Sequence, residues 1–410
     1  MPERNTMKKI QELQQVKGDA YDYYIAGNED TDLFEKIFLV DDIVEEICKP
    51  DKYFLIGEKG SGKTAYSVYM SKSDKINSFC SISLVENTLY QRFLNMKRQK
   101  ALELSSFKDV WINLIYLILA EKIRKEYGET FFSSMKYKQL SKAIDVFYSD
   151  AFKPEFVNAF EFVDNASASI NSMMKQGLFS TGTKASAETS QKYVEQSFQI
   201  SLLKIRDGFE KAFMSVNLKK PTILFVDGID ARPRDIDNEQ YFECLVGLVN
   251  AVLEMNQSFL KEKQIKIMLL IRPDIMYKMP VHNMNQKLRN NSVLLNWVTS
   301  YRKYIDSKLF KIADDYFMKQ QDYSYELGEC WNYYFPYKVE YQEKRKAPDN
   351  PFVEFLRYSL YKPRDILTML NEMVDATSGT QFKHSDFEGI LSNYSCLLYT
   401  SDAADDLLCV

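Results

Sequence analysis

What this sequence lacks narrows it first. Nowhere do about 18 or more apolar residues run uninterrupted, the length a membrane span needs, so no membrane span is expected. The apolar run Val110–Ala120 is too short and polar-flanked, and it reads as a buried helix. The N-terminus, Met1 to Asn5, has no apolar h-region, so no secretory leader is visible. The 6 cysteines are scattered with no C-x-x-C pair. That fits free thiols in a reducing, cytoplasmic setting better than a disulfide scaffold. Neither charge dominates: the net charge is −4. This argues against a generally basic, nucleic-acid-coating protein and leaves room only for a local basic patch. What is present is ordinary for a water-exposed globular chain, with 45% apolar and 27% charged residues. At 410 residues the chain exceeds the usual single core, so two domains, or one with a large appendage, are expected.

The stretch that organises the chain is Lys52-Tyr53-Phe54-Leu55-Ile56 followed by Gly57-Glu58-Lys59-Gly60-Ser61-Gly62-Lys63-Thr64-Ala65. It reads as a short buried strand, a glycine-rich turn and the start of a helix. Gly57, four residues, then Gly62-Lys63-Thr64 is the P-loop pattern. Glycines let the backbone curl so that successive N–H groups face a phosphate with no Cβ in the way. The helix that follows turns its first N–H groups and positive dipole end to the same anion. Lys63 has the reach for β- and γ-phosphates, and the Thr64 hydroxyl suits Mg²⁺. The bland alternative is a chance glycine turn. With its ammonium read as solvent-facing, Lys63 is expected to be dispensable for the fold without ligand.

The second signal is Pro221-Thr-Ile-Leu-Phe-Val-Asp227-Gly-Ile-Asp230. A near-continuous apolar run is what a strand buried on both faces of a parallel sheet looks like. It ends in acid at the carboxyl edge, where ligands of open α/β sheets bind. Asp227 suits Mg²⁺, directly or through water, and Asp230 suits orienting the attacking water. Ile265–Ile271 is another buried strand, ending at Arg272 and cut by Pro273. Arg272 is placed either to touch a γ-phosphate, or to pair with Asp227 or Asp230 as a structural ion pair. Ser78–Leu84 and Ser292–Trp297 complete five strands. Asp32 to Cys48 has one helix's periodicity, ended by Pro50. Residues 86–104, 107–126, 191–216 and 241–255 read as helical, with Ser105-Ser106 as a cap. Residues 164–190 are small and polar and read as a loop or weak hairpin. From Thr299 the pattern is helical, interrupted by the aromatic stretch Trp331–Tyr337. Pro363 suits the first turn of the last of these helices, next to Arg364.

Together these motifs resemble the P-loop ATPases of the AAA+/STAND group over about residues 30–390. More narrowly, Asp227–Pro233, Ile271–Ile275 and Lys362–Ile366 are similar to a poorly characterised bacterial P-loop ATPase family. The resemblance implies a three-layer αβα domain with a parallel sheet in the order 5-1-4-3-2, and a helical lid. It makes Asp227–Asp230 an extended Walker B, Arg272 a sensor-1 arginine and Arg364 a sensor-2 arginine. Ala231 stands where many members carry a second acid. The last residues, Ser395 to Val410, resemble translated sequencing-adapter read-through. They are expected to carry no function, with the natural chain continuing beyond about Tyr394; the alternative is a short acidic tail.

The reading is therefore an N-terminal helix and loop (1–30), an α/β P-loop domain (31–298) with an insertion around 130–195, a helical lid (299–394) and a foreign tail (395–410). ATP and Mg²⁺ are the expected cofactors. Slow, regulated ATP hydrolysis driving a conformational change is the expected activity, possible roles in bacterial defence or signalling following only from the resemblance. The alternative is a nucleotide-gated switch or scaffold with little turnover. A GTPase is disfavoured by the absence of an Asn-Lys-x-Asp motif, and a kinase by the absence of an acceptor site. A protein partner or self-association is compatible with the sequence.

Overall fold

The computed structural model describes residues 7–25, 32–85, 107–132, 137–150, 202–229, 238–279, 288–339 and 349–403. The expectations for 86–104, the Ser105-Ser106 cap, 164–190 and Asp230 lie outside these residues, as does much of the 130–195 insertion.

The fold is α/β, built on a five-stranded parallel sheet. Its strands are β1 (Phe54–Ile56), β2 (Phe79–Leu84), β3 (Thr222–Asp227), β4 (Ile265–Ile271) and β5 (Ser292–Leu294). Their order across the sheet is β2-β3-β4-β1-β5. Every residue of β1, β3 and β4 is buried, as their continuous apolar runs require. The charged residue inside β4, Lys266, is accommodated because its ammonium donates to the Lys49 carbonyl at 2.8 Å. Among the described residues no helix is long and apolar enough to cross a membrane.

Contacts divide the chain into two units: Met1–Cys48, Ile56–Asp74 and Val293–Val410 form the first, Lys49–Leu55 and Lys75–Ser292 the second. The second holds β2, β3 and β4. There, Thr222 to Val226 run in register with Ile265 to Leu269. The apolar run Val110–Ala120 is the buried middle of a helix, Phe107–Phe132. Its Trp111 indole donates to the Cys244 carbonyl of the Asn238–Gln257 helix at 3.1 Å. Asn256 on that second helix bonds both backbone groups of Ile267 in β4, at 2.8 and 2.9 Å. A buried carboxamide thereby fixes where helix and strand meet.

The first unit departs from the sequence reading in two places. The units do not follow the expected boundary near residue 298: the loop after β1 and its helix group with the C-terminal helices. The single helix expected over 32–48 is two, Asp32–Ile37 and Asp42–Cys48. It breaks because Phe38 turns in to stack on Tyr69, with ring centroids 4.2 Å apart. Asp41 then bonds the Ile43 N–H at 3.1 Å and starts the next helix. The aromatic stretch Trp331–Tyr337 does interrupt the helical pattern, since the helix Glu329–Tyr334 ends inside it, and it also forms the segment's core. Trp331 stacks on Phe335 and Phe317 on Tyr334, at centroid distances of 4.1 and 4.6 Å. One helix runs from His384 to Ala403, through residue 395.

Candidate functional site

β1 ends at Ile56, whose carbonyl accepts from Leu295 N–H at 2.8 Å. The loop that follows turns through Gly60 and Gly62, at φ +79° and +92°, a region that costs an L side chain roughly 1–2 kcal/mol. Gly57 is required for space, because a Cβ there would stand 2.3 Å from the Ser61 hydroxyl. Lys63–Lys72 is the helix that follows, with Gly62 as an N-cap that offers no side chain to the first N–H groups.

Five of the loop's carbonyls, those of Gly57, Glu58, Gly60, Ser61 and Gly62, are engaged. Lys63 Nζ donates to Gly57 O at 2.8 Å and to Glu58 O at 3.3 Å. Arg364 N–H donates to Gly60 O at 3.3 Å. The Trp297 indole donates to Ser61 O at 2.9 Å. Tyr66 N–H donates to Gly62 O at 3.0 Å. The donors are treated differently: among the described residues the Gly60 and Gly62 amides meet no acceptor. The Ser61 hydroxyl, on a residue only 3% exposed, meets no hydrogen-bond partner either. A curled backbone with donors left over suits an anion.

Lys63 is buried, which the sequence reading did not expect. Without a phosphate its ammonium is satisfied by the loop's own carbonyls, so the loop holds its shape around the lysine stem. Thr64 is the second residue of the helix, and Ala65 follows it in the first turn.

Arg364 lies against this loop. Pro363 opens the helix Pro363–Ala376 at its first position. Leu360 and Tyr361 just before it both sit at positive φ, +49° and +60°, an uncommon conformation for such side chains. That turn delivers the guanidinium against Gly60, where an added Cβ would meet Nε at 3.1 Å. Arg364 Nε also lies 3.3 Å from Asp365 Oδ1. Arg364 thus touches both the loop backbone and the neighbouring carboxylate.

Trp297 is the residue that sequence reasoning missed. It was read as the end of a strand, but β5 stops at Leu294 and the chain continues extended past the loop. A lone tryptophan one step beyond a strand carries no pattern that distinguishes a loop clamp from core.

The second unit holds the other described candidates at the carboxyl ends of adjacent parallel strands. Asp227 closes β3, is buried, and accepts the Gly228 N–H at 2.8 Å. Arg272 follows β4 as the N-cap of the short helix Pro273–Lys278. Its guanidinium grips Asp274 through both Nε and Nη2, at 3.0 and 2.9 Å, a partner the sequence reading did not name. Among the described residues no group of three or more His, Cys, Asp or Glu stands together as a metal cage. Thr64 and Asp227 each carry an oxygen of the kind that Mg²⁺ accepts as a ligand. Compared with known proteins, the chain matches no family model, no curated protein and no solved structure.

Proposed function

We propose that this protein is a P-loop ATPase that binds Mg·ATP at residues 57–65 and hydrolyses it slowly to drive movement of the helical segment as a lid. The observation that carries the reading is the loop's own hydrogen bonding: carbonyls engaged, with the Gly60 and Gly62 amides and the buried Ser61 hydroxyl left without protein acceptors. An anion that accepts from several donors at once suits that set. The strand order, read from the β5 edge, is 5-1-4-3-2, the order the AAA+/STAND resemblance implies, and it supports the same reading.

In this account the amides of 58–64 cradle the phosphates. The Lys63 ammonium exchanges its loop carbonyls for β- and γ-phosphate oxygens. Thr64 and Asp227 would supply oxygen ligands to Mg²⁺, which when bound would neutralise phosphate charge. Asp230 orients the attacking water. Arg364 and Arg272 answer the γ-phosphate charge, each leaving its own carboxylate partner to do so. Ala231 in place of a second acid favours a further reading, a nucleotide-gated switch with little turnover. Phosphate release over many turnovers tests the proposal. Sustained, Mg²⁺-dependent release that Asp230→Asn abolishes supports hydrolysis; a single burst stoichiometric with protein supports the switch.

A further inference from the structure

Residues 7–17 form no regular helix beyond one 3₁₀ turn at Ile10–Glu12; they run as a strap along the C-terminal helices of the first unit. Side-chain carboxamides of those helices read the strap's backbone. Gln14 N–H donates to Gln320 Oε1 at 2.6 Å, and Gln14 O accepts from Gln320 Nε2 at 3.3 Å. Two residues on, Val16 N–H donates to Asn371 Oδ1 at 3.1 Å and Val16 O accepts from Asn371 Nδ2 at 2.6 Å. A carboxamide offers the same donor and acceptor as a peptide unit, so two of them opposite residues i and i+2 imitate the edge of a β ladder. At the other end Lys8 N–H donates to Gln321 Oε1 at 2.9 Å, and Lys8 O accepts from the Tyr334 hydroxyl at 2.7 Å.

Between these contacts the strap is anchored by Ile10, Leu13 and Val16, all buried, while the side chains between them are exposed. The period of three follows from the backbone. Lys9 (φ −69°, ψ 155°) and Leu13 (φ −79°, ψ 138°) are polyproline-like on either side of the 3₁₀ turn. Both conformations have three residues per turn and set every third side chain on one face.

Backbone read by polar groups and spaced side chains read by pockets is how a protein binds an extended peptide. We infer that the C-terminal helices form a peptide-binding groove, filled in cis by residues 8–17, from which a partner peptide with apolar residues at every third position displaces the strap. The groove is linked to Arg364 through one helix: Asn371 lies about two turns beyond it on Pro363–Ala376. Gln15 adds a contact to Asp375 at the end of the same helix, at 3.2 Å. Exchange of the strap therefore acts on the helix that presents the arginine to the loop. The inference stands whether or not the loop binds nucleotide.

The test uses the full chain with Ile10→Asp and Leu13→Asp, which disengage the cis strap, and a fluorescent peptide of residues 7–18. The variant is expected to bind the peptide saturably and one to one. Adding Gln320→Ala and Asn371→Ala should weaken that binding about tenfold or more. The unaltered chain should bind about a hundredfold more weakly, because its own strap competes at millimolar effective concentration. A folded variant that binds no peptide overturns the inference. Should the variant not fold, hydrogen exchange on the unaltered chain decides. Gln14 and Val16 amides exchanging about tenfold or more faster than the sheet amides supports a strap that opens by itself; exchange only with global unfolding overturns it. Dimers that form by exchanged straps support the groove and identify the partner as a second copy.

Discussion

The Arg364 N–H donates to the Gly60 carbonyl at 3.3 Å, and its guanidinium lies so close over that glycine that a Cβ would stand 3.1 Å from Nε. A residue some three hundred positions downstream thus shares the backbone of the loop that follows β1. Replacing Arg364 by Ala keeps the N–H bond and removes the guanidinium. Its partner Asp365 is buried while the guanidinium is about a third exposed, so losing the pair should cost about 1–3 kcal/mol of stability. Contact with a transferring phosphoryl is worth about 10³-fold or more in rate. Arg364→Ala should therefore cut ATP turnover far more than it lowers the melting temperature. Unchanged kinetics with a modest stability loss would assign the residue to structure alone.

Lys63 supplies the next outcome. Its ammonium satisfies Gly57 O and Glu58 O within the loop. Lys63→Ala should therefore destabilise the ligand-free protein, by about 1–3 kcal/mol for buried acceptors left unpaired. Urea unfolding without nucleotide measures it. Equal midpoints for the two proteins would mean that the loop relaxes at no cost.

Trp297→Phe keeps an aromatic ring and deletes one donor, the N–H that holds Ser61 O at 2.9 Å. Freed, that carbonyl is able to rotate toward the phosphate side of the loop. One hydrogen bond is worth about 0.5–1.5 kcal/mol, so nucleotide affinity should fall about two- to tenfold. Titration of both proteins with Mg·ATP reads the effect. An unchanged Kd would remove Trp297 from the site.

A structural control lies away from the loop. Asp314 is fully buried in the Lys308–Met318 helix and accepts Gly328 N–H at 2.7 Å and Trp331 N–H at 2.8 Å. Burial raises its carboxyl above the ordinary range, opposed by those two bonds. Asp314→Ala orphans both amides and opens a cavity beside Trp331, which should cost about 2–4 kcal/mol. A melting temperature within a degree of the unaltered protein would contradict this.

How much of this was legible depends on how local each determinant is. β1, β3 and β4 were readable because a strand buried on both faces must be apolar throughout, and their short runs end in turn or charged residues, unlike the longer run Val110–Ala120 that forms a helix. The loop was readable because phosphate geometry dictates glycine at fixed spacing. Arg364 was readable in part, since Pro363 announces a helix start and an arginine there opposes the dipole. The burial of Lys63 was not, because it depends on carbonyls that only the folded loop brings together. The break at Phe38 depends on Tyr69 lying beneath it. The strap was hidden because carboxamides at Gln320 and Asn371 carry no periodic signature; their meaning lies in what runs across them. Asp230 and the 164–190 segment lie outside the described residues.

The most direct measurement is thermal unfolding of the full chain and of Lys63→Ala, each with and without Mg·ATP. For the unaltered protein, ligand at a hundredfold excess over Kd should add about 2.7 kcal/mol of stability. The gain should vanish when Mg²⁺ is chelated and be absent in the Lys63→Ala protein. Unfolding curves that superimpose with and without Mg·ATP, or an equal rise in both proteins, would contradict a nucleotide site at residues 57–65.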